Sequence, residues 1–241
     1  MSKSKKAKEL FSNTLLFAIS NFGTKAISFF LLPLYTFVLS TKDYGNIDLV
    51  STTVYLIAPI LTLNIQDAVL IFCLDKEYNP LQVLKVGIKM AGYASALLGI
   101  GLIIVHNLPF FHLSIIYSVY LYLTFIINAF YNIMIKYLKA VDKVTLVAVC
   151  GILNTLITCL LNIVLLLWVK LGVLGYLIAN ISGGMTAIII MIVFSDMPKI
   201  FTVRVPKGLL KTMCLCSMPL IANAVAWWFN DTSDRQESCC G

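Results

Sequence analysis

ISNFGTKAISFFLLPLY, residues 19–35, sets one lysine, Lys25, inside a run that otherwise reads as helix immersed in lipid. As a membrane span, that run makes the chain a helical membrane protein, and the rest of the sequence agrees with it. A chain of 241 residues would ordinarily make one or two soluble domains, but 60% hydrophobic and 12% charged residues do not describe a water-facing surface. Crossing about 30 Å of hydrocarbon takes roughly 20 mainly apolar residues as helix. Such runs follow one another at residues 10–39, 47–73, 81–105, 114–138, 144–169 and 171–195, with a seventh at 208–229. Spanning strands would be about 10 residues long and alternate in polarity, so these longer runs, apolar on most faces, predict an all-α polytopic membrane protein. Polar breaks punctuate them: STKDYGN from Ser40, DKEYNP from Asp75, HNLPFFH from His106, LKAVDK from Leu138 and DMPKIFTVRVPKG from Asp196.

Positive charge sets the expected orientation, because Lys and Arg collect beside the cytoplasmic ends of spans. Lys3, Lys5, Lys6 and Lys8 precede the first span. Lys76, Lys85 and Lys89 surround the second loop, Lys136, Lys139 and Lys143 the fourth, and Lys199, Arg204, Lys207 and Lys211 the sixth. The opposite side holds only Lys42, Lys170 and Arg235. The expectation is a multi-pass protein of the cytoplasmic membrane with a cytoplasmic amino terminus.

Several functions are disfavoured by the same residues. The net charge of +7 is spread loop by loop rather than gathered on one face with stacking aromatics, so no nucleic-acid partner is expected. MSKSKKAKEL resembles the start of a secretory signal, but the following run is too long and lacks a small-residue cleavage site. Of seven cysteines, Cys73, Cys150 and Cys159 lie in or at the ends of apolar helices, and the Cys214-x-Cys216 pair lacks a histidine on its side, so neither a metal site nor a disulfide is expected, and no cofactor. His106 and His112 flank NLPFF as interfacial polar residues beside an aromatic anchor. No nucleophile, acid–base pair or phosphate loop stands out, and the chain does not read as an enzyme.

About 15 residues of helix at 1.5 Å each place Lys25 near mid-membrane, and a buried ammonium there needs a water-filled or protein-lined setting. Asn21, Lys25 and Ser28 fall at i, i+4 and i+7, one polar stripe on an apolar helix. Other spans repeat the pattern: Asn64, Gln66 and Asp67 in the second, Thr124 and Asn128 among tyrosines and Asn132 in the fourth, and Asn154, Thr158 and Asn162 in the fifth. Each alone is explained by an interhelical hydrogen bond, worth about 0.6 kcal/mol on average. As a set they describe the lining of a polar cavity. Asp67 is the first candidate partner for Lys25, although contact would need tilt, a bridging water or a kink near Pro33 or Pro59.

Four stretches carry a family resemblance. GTKAISFFLLPLYTFVLSTKDYGNIDL (23–49), LNIQDAVLIFCLD (63–75), LGVLGYLIAN (171–180) and MPLIANAVAWWFNDTSDR (218–235) resemble, in order, the amino-terminal half of the polysaccharide flippases, the Wzx-type branch of the multidrug/oligosaccharidyl-lipid/polysaccharide exporter superfamily. The resemblance implies a carrier that moves a polyprenyl-diphosphate-linked oligosaccharide between leaflets by alternating access of two six-helix lobes. Lys25 would then meet the diphosphate, and the Asn, Thr and Tyr stripes the sugar. Two departures stand out: Ile71 occupies a position where the family leads one to expect arginine, and QESCCG follows Ser233-Asp234-Arg235 where relatives continue into further spans.

The expected organisation is therefore a basic segment (1–9), a six-helix lobe (10–195), a cytoplasmic linker (196–207), a seventh helix (208–235) and a non-native tail (236–241). Such a lobe would not transport alone and would associate with a missing second lobe or a second copy. The alternatives are a cation-coupled drug or metabolite exporter using Asp67, and a non-transporting fragment.

Overall fold

The computed structural model of the chain describes residues 22, 25–27, 29, 31–107, 114–195, 199–200 and 202–240, with side chains described as far as residue 230. Helix dominates, and no strand occurs among the described residues. After an apolar helix over Lys25–Val38 come α1 (Thr41–Leu61), α2 (Ile65–Leu74), α3 (Pro80–Asn107), α4 (Ile115–Ala140), α5 (Val144–Ile163, prolonged by a π-helical turn Val164–Trp168), α6 (Val173–Phe194) and α7 (Leu209–Cys240). Among the described residues five helices are long and apolar enough to cross a membrane, and α1 with α2, bent by 54° at the break between them, makes a sixth when the pair is counted as one span. The protein is an all-α, polytopic membrane protein.

The first loop is shorter than its polar sequence suggests. Ser40 caps α1: its Oγ accepts from the Asp43 N–H at 3.1 Å and donates to Asp43 Oδ2 at 2.6 Å. That reciprocal cap, worth about 1 kcal/mol, starts the helix at Thr41, so KDYGN is helical rather than loop. Asn79 does the same for α3, its Oδ1 accepting from the Leu81 N–H at 2.9 Å, with Pro80 in the first helical position where a missing N–H is harmless. At the other end of the chain α7 runs through Cys240, beyond the 208–229 expected for the seventh span, although its apolar stretch ends at Asn230.

The chain divides into two compact units that alternate along the sequence, Met1–Asn46 with Leu138–Pro198, and Ile47–Tyr137 with Lys199–Gly241. Residues 10–195, expected as a single lobe, thus contribute to both. In the first unit α5 and α6 form a hairpin. Its turn uses Lys170 and Gly172 at φ 57° and 56°, and Gly175 lets the chain return closely, since a Cβ there would stand 3.2 Å from the Leu165 carbonyl oxygen. Tyr176 stacks edge-on against Tyr35, ring centres 4.9 Å apart.

In the second unit α1, α3 and α4 share a core of Val54, Ala58, Ala94 and Phe125. Gly87 on α3 opens room for Val69 of α2 and Ile133 of α4, since a Cβ there would meet them at 2.8 and 3.3 Å. Lipid supplies little hydrophobic force between helices, so close approach over small residues is what packs them. α7 lies against α2 and α3, and Trp228 Nε1 donates to the Thr52 carbonyl at 3.1 Å. Four hydroxyls inside the helices are satisfied locally: Ser51, Thr62, Ser95 and Thr155 each donate to the carbonyl four residues back.

Candidate functional site

α1 ends inside its span. Asn64 N–H bonds to Pro59 O at 2.7 Å and Leu63 N–H to Ile60 O at 3.2 Å, the paired bonds of a Schellman motif. That motif needs a left-handed residue, and here two in succession adopt it, Leu63 at φ 51° and Asn64 at φ 49°. Asparagine tolerates the region; for leucine it costs about 1–2 kcal/mol. The kink expected near Pro59 therefore exists, but capping of a helix end just beyond the proline makes it.

The break collects polar side chains. Asn64 is buried, and its amide is fully used: Nδ2 donates to Asp67 Oδ2 at 2.8 Å and to the Leu220 carbonyl of α7 at 3.3 Å, while Oδ1 accepts from Gln66 Nε2 at 3.1 Å. Lys136 Nζ of α4 donates to the other carboxylate oxygen, Asp67 Oδ1, at 2.6 Å. Both charged side chains remain about a third exposed, 30% for Lys136 and 29% for Asp67, so the pair lies at an open edge of the network. One of the three ammonium donors is committed to Asp67.

Along α4 the polarity continues. Asn132 Nδ2 donates to Asn128 Oδ1 at 3.0 Å and to its carbonyl at 2.9 Å, and Thr124, Asn128, Asn132 and Lys136 recur every four residues on one face. Thr124 and Asn128 are half-buried. Asn64 stands ten residues from the end of α2 and Leu220 eleven from the start of α7, about 15–17 Å of helix rise. Their meeting point is near the middle of a 30 Å hydrocarbon core, where an unwound backbone is tolerated only against protein or water.

The sequence-derived candidates separate into two groups. Asn64, Gln66 and Asp67 belong to the network at the break, Thr124 and Asn128 lie further along α4 at four-residue spacing from Lys136, and the cation facing Asp67 is Lys136 rather than Lys25. Lys25 is exposed on the Lys25–Val38 helix of the first unit, whereas Asn21 and Ser28 lie outside the described residues. Asn154, Thr158 and Asn162 sit at a helix contact. A Cβ on Gly183 of α6 would overlap Thr158 Oγ1 and stand 2.8 Å from Asn154 Oδ1. Asn162 is fully buried, its Nδ2 donating to the Thr158 carbonyl at 2.9 Å and its Oδ1 unpartnered among the described residues. These three therefore support α5 against α6 before anything else.

Lys136 was absent from the sequence-derived set because its charge is explained by the loop beside it. The four-residue spacing from Asn128 and Asn132 was the signal that it also faces inward. Among the described residues no three His, Cys, Asp or Glu side chains gather where they could hold a metal ion. No protein-family model, curated protein or solved structure matches the chain.

Proposed function

We propose that this chain forms part of a carrier in the cytoplasmic membrane, with its amino terminus cytoplasmic, that moves an anionic lipid-linked oligosaccharide, of the polyprenyl-diphosphate class, between leaflets. The observation that carries this reading is the break between α1 and α2 at mid-span, with an amide, a carboxylate and an ammonium converging on it. Interrupted spans of this kind can exchange partners with little rearrangement of the rest of the bundle, and polar groups placed there commonly mark a path through the membrane. The third of Lys136 left exposed offers donors to a phosphate, and the amides of Asn128 and Asn132 suit a sugar's hydroxyls. The resemblance of residues 23–49, 63–75, 171–180 and 218–235 to the polysaccharide flippases supports the same substrate class. No bond of the cargo is made or broken in this role. Enclosing the cargo takes a second lobe, supplied by another polypeptide segment or a second copy.

Asp67, already ion-paired at the break, favours one alternative, a cation-coupled exporter. Vesicles containing the chain, alone and with a candidate second lobe, separate the two. Movement of a fluorescent polyprenyl-diphosphate sugar that is lost in Lys136→Gln supports the flippase. Efflux of a cationic dye that is lost in Asp67→Asn, without movement of the sugar lipid, replaces it. Reporter fusions at the amino terminus and after Phe194 check the orientation.

A further inference from the structure

The segment joining α6 to α7 carries a basic surface that transport does not require. Residues 203–206 belong to no helix or strand, and their backbone is pinned to α3: Gln82 Nε2 donates to the Arg204 carbonyl at 2.9 Å and Lys85 Nζ to the Val203 carbonyl at 2.7 Å. Val203 and Val205 are half-buried, whereas Arg204 between them is exposed. Lys207 follows in the turn that ends at Gly208, φ 98°, and Lys211 in the first turn of α7; both are exposed. No acidic residue occurs from Lys199 to Asn230, nor anywhere in α3, where Lys89 is also exposed one turn beyond Lys85. The acids nearest to α3 in sequence, Asp75 and Glu77, are followed by Tyr78 and the capping Asn79 and are accompanied by Lys76.

We propose that Arg204, Lys207 and Lys211, held by the clasp of Gln82 and Lys85 on the linker backbone, form a binding surface for the headgroup phosphates of anionic phospholipids. The linker joins two helices that are each long and apolar enough to span, so it lies at the height of the headgroups. Phosphodiesters are the anions concentrated at that height, and each nearby Lys or Arg strengthens the attraction. A free basic tail would share this charge, but the two backbone hydrogen bonds fix where the cations emerge, which lets the surface hold a lipid beside α3 and α7 rather than merely enrich one. Only the interfacial position is required, so the surface serves any transported cargo or none.

Native mass spectrometry of the full chain released from nanodiscs of phosphatidylglycerol or phosphatidylcholine tests the assignment. The unchanged protein retains phosphatidylglycerol in preference to phosphatidylcholine. The triple variant R204Q/K207Q/K211Q weakens that retention about a hundred-fold, from roughly five-fold for each cation lost. K42Q, at an exposed lysine of α1 remote in sequence, leaves it unchanged, as does the charge-preserving R204K/K207R/K211R. Equal retention of the two lipids by the unchanged protein, or undiminished phosphatidylglycerol on the triple glutamine variant, overturns the proposal. Displacement of the lipid by millimolar inorganic phosphate overturns it as well, since it identifies a site for free anions.

Discussion

Replacing Asp67 by alanine removes the group that two helices share at the break, and the cost follows from the geometry. At a nitrogen–oxygen separation of 2.6 Å, and an effective dielectric near 20, the gross attraction of the Lys136–Asp67 pair is about 6 kcal/mol. Desolvation of both ions offsets most of this. Removing one partner of a fully buried pair costs about 3–5 kcal/mol, while exposed pairs are worth about 0–1. With both side chains near one-third exposed, the pair falls between, at a coupling of about 2 kcal/mol. Asp67→Ala also strips Asn64 Nδ2 of a charged acceptor, adding about 1 kcal/mol, so the single variant loses about 3 in total. Lys136→Met retains the aliphatic stem and should cost about 2 kcal/mol. Because the pair interaction is counted in both, Asp67→Ala/Lys136→Met should be destabilised by about 3 rather than 5 kcal/mol. Reversible unfolding of the four proteins in mixed micelles, followed by far-ultraviolet circular dichroism, measures the cycle. Additive effects, within about 0.4 kcal/mol, would refute the claim that this ion pair ties α4 to the broken span.

Leu63→Gly should stabilise the protein by about 1 kcal/mol in the same micelles, because glycine enters the left-handed region without the penalty leucine bears, whereas Leu63→Ile should destabilise it. Gly183→Ala should cost about 1–3 kcal/mol by forcing a methyl onto Thr158 Oγ1, and Thr158→Ala in the same chain should restore most of it; a cysteine pair across α5 and α6 reports the separation by cross-linking yield. A cysteine in place of Lys25, in a chain otherwise stripped of cysteine, should react with a hydrophilic thiol reagent from at least one side of the membrane. Protection from both sides would show that no water-filled cavity reaches that position and would remove Lys25 from the proposed cargo path.

The spans were legible because length and apolar content are local and strongly constrained by the bilayer; expected and observed boundaries for α3, α4, α5 and α6 agree within a few residues. Where they differ, a few hydrogen bonds decide. Ser40 and Asp43 turned an apparent loop into the first turn of α1, a pattern readable as Ser-x-x-Asp but outweighed by Tyr44-Gly45-Asn46. The interruption at Leu63 had no comparable sign, since leucine is the last residue one expects in a left-handed helix cap. The neighbouring Asn64 and Pro59 pointed to polarity and to a bend without locating either. In the candidate site, Asn64, Gln66 and Asp67 could be chosen from one short word of sequence, but the partner of Asp67 lies 69 residues away. Periodicity on one helix cannot rank cations on another. The Asn154, Thr158 and Asn162 row was also visible, and only the closeness of Gly183 shows which neighbour it meets.

The hydrogen bonds from Asn64 to Leu220 and from Trp228 to Thr52 impose a schedule on biosynthesis. The buried amide at the interruption reaches its acceptor only after 156 further residues have been made, about 8–30 s at ribosomal rates of 5–20 residues per second. Throughout that interval an unwound turn with an unmet donor occupies a nascent bundle. An insertion factor that shelters polar groups must accompany it, or the growing chain must keep that turn close to the aqueous edge until α7 arrives.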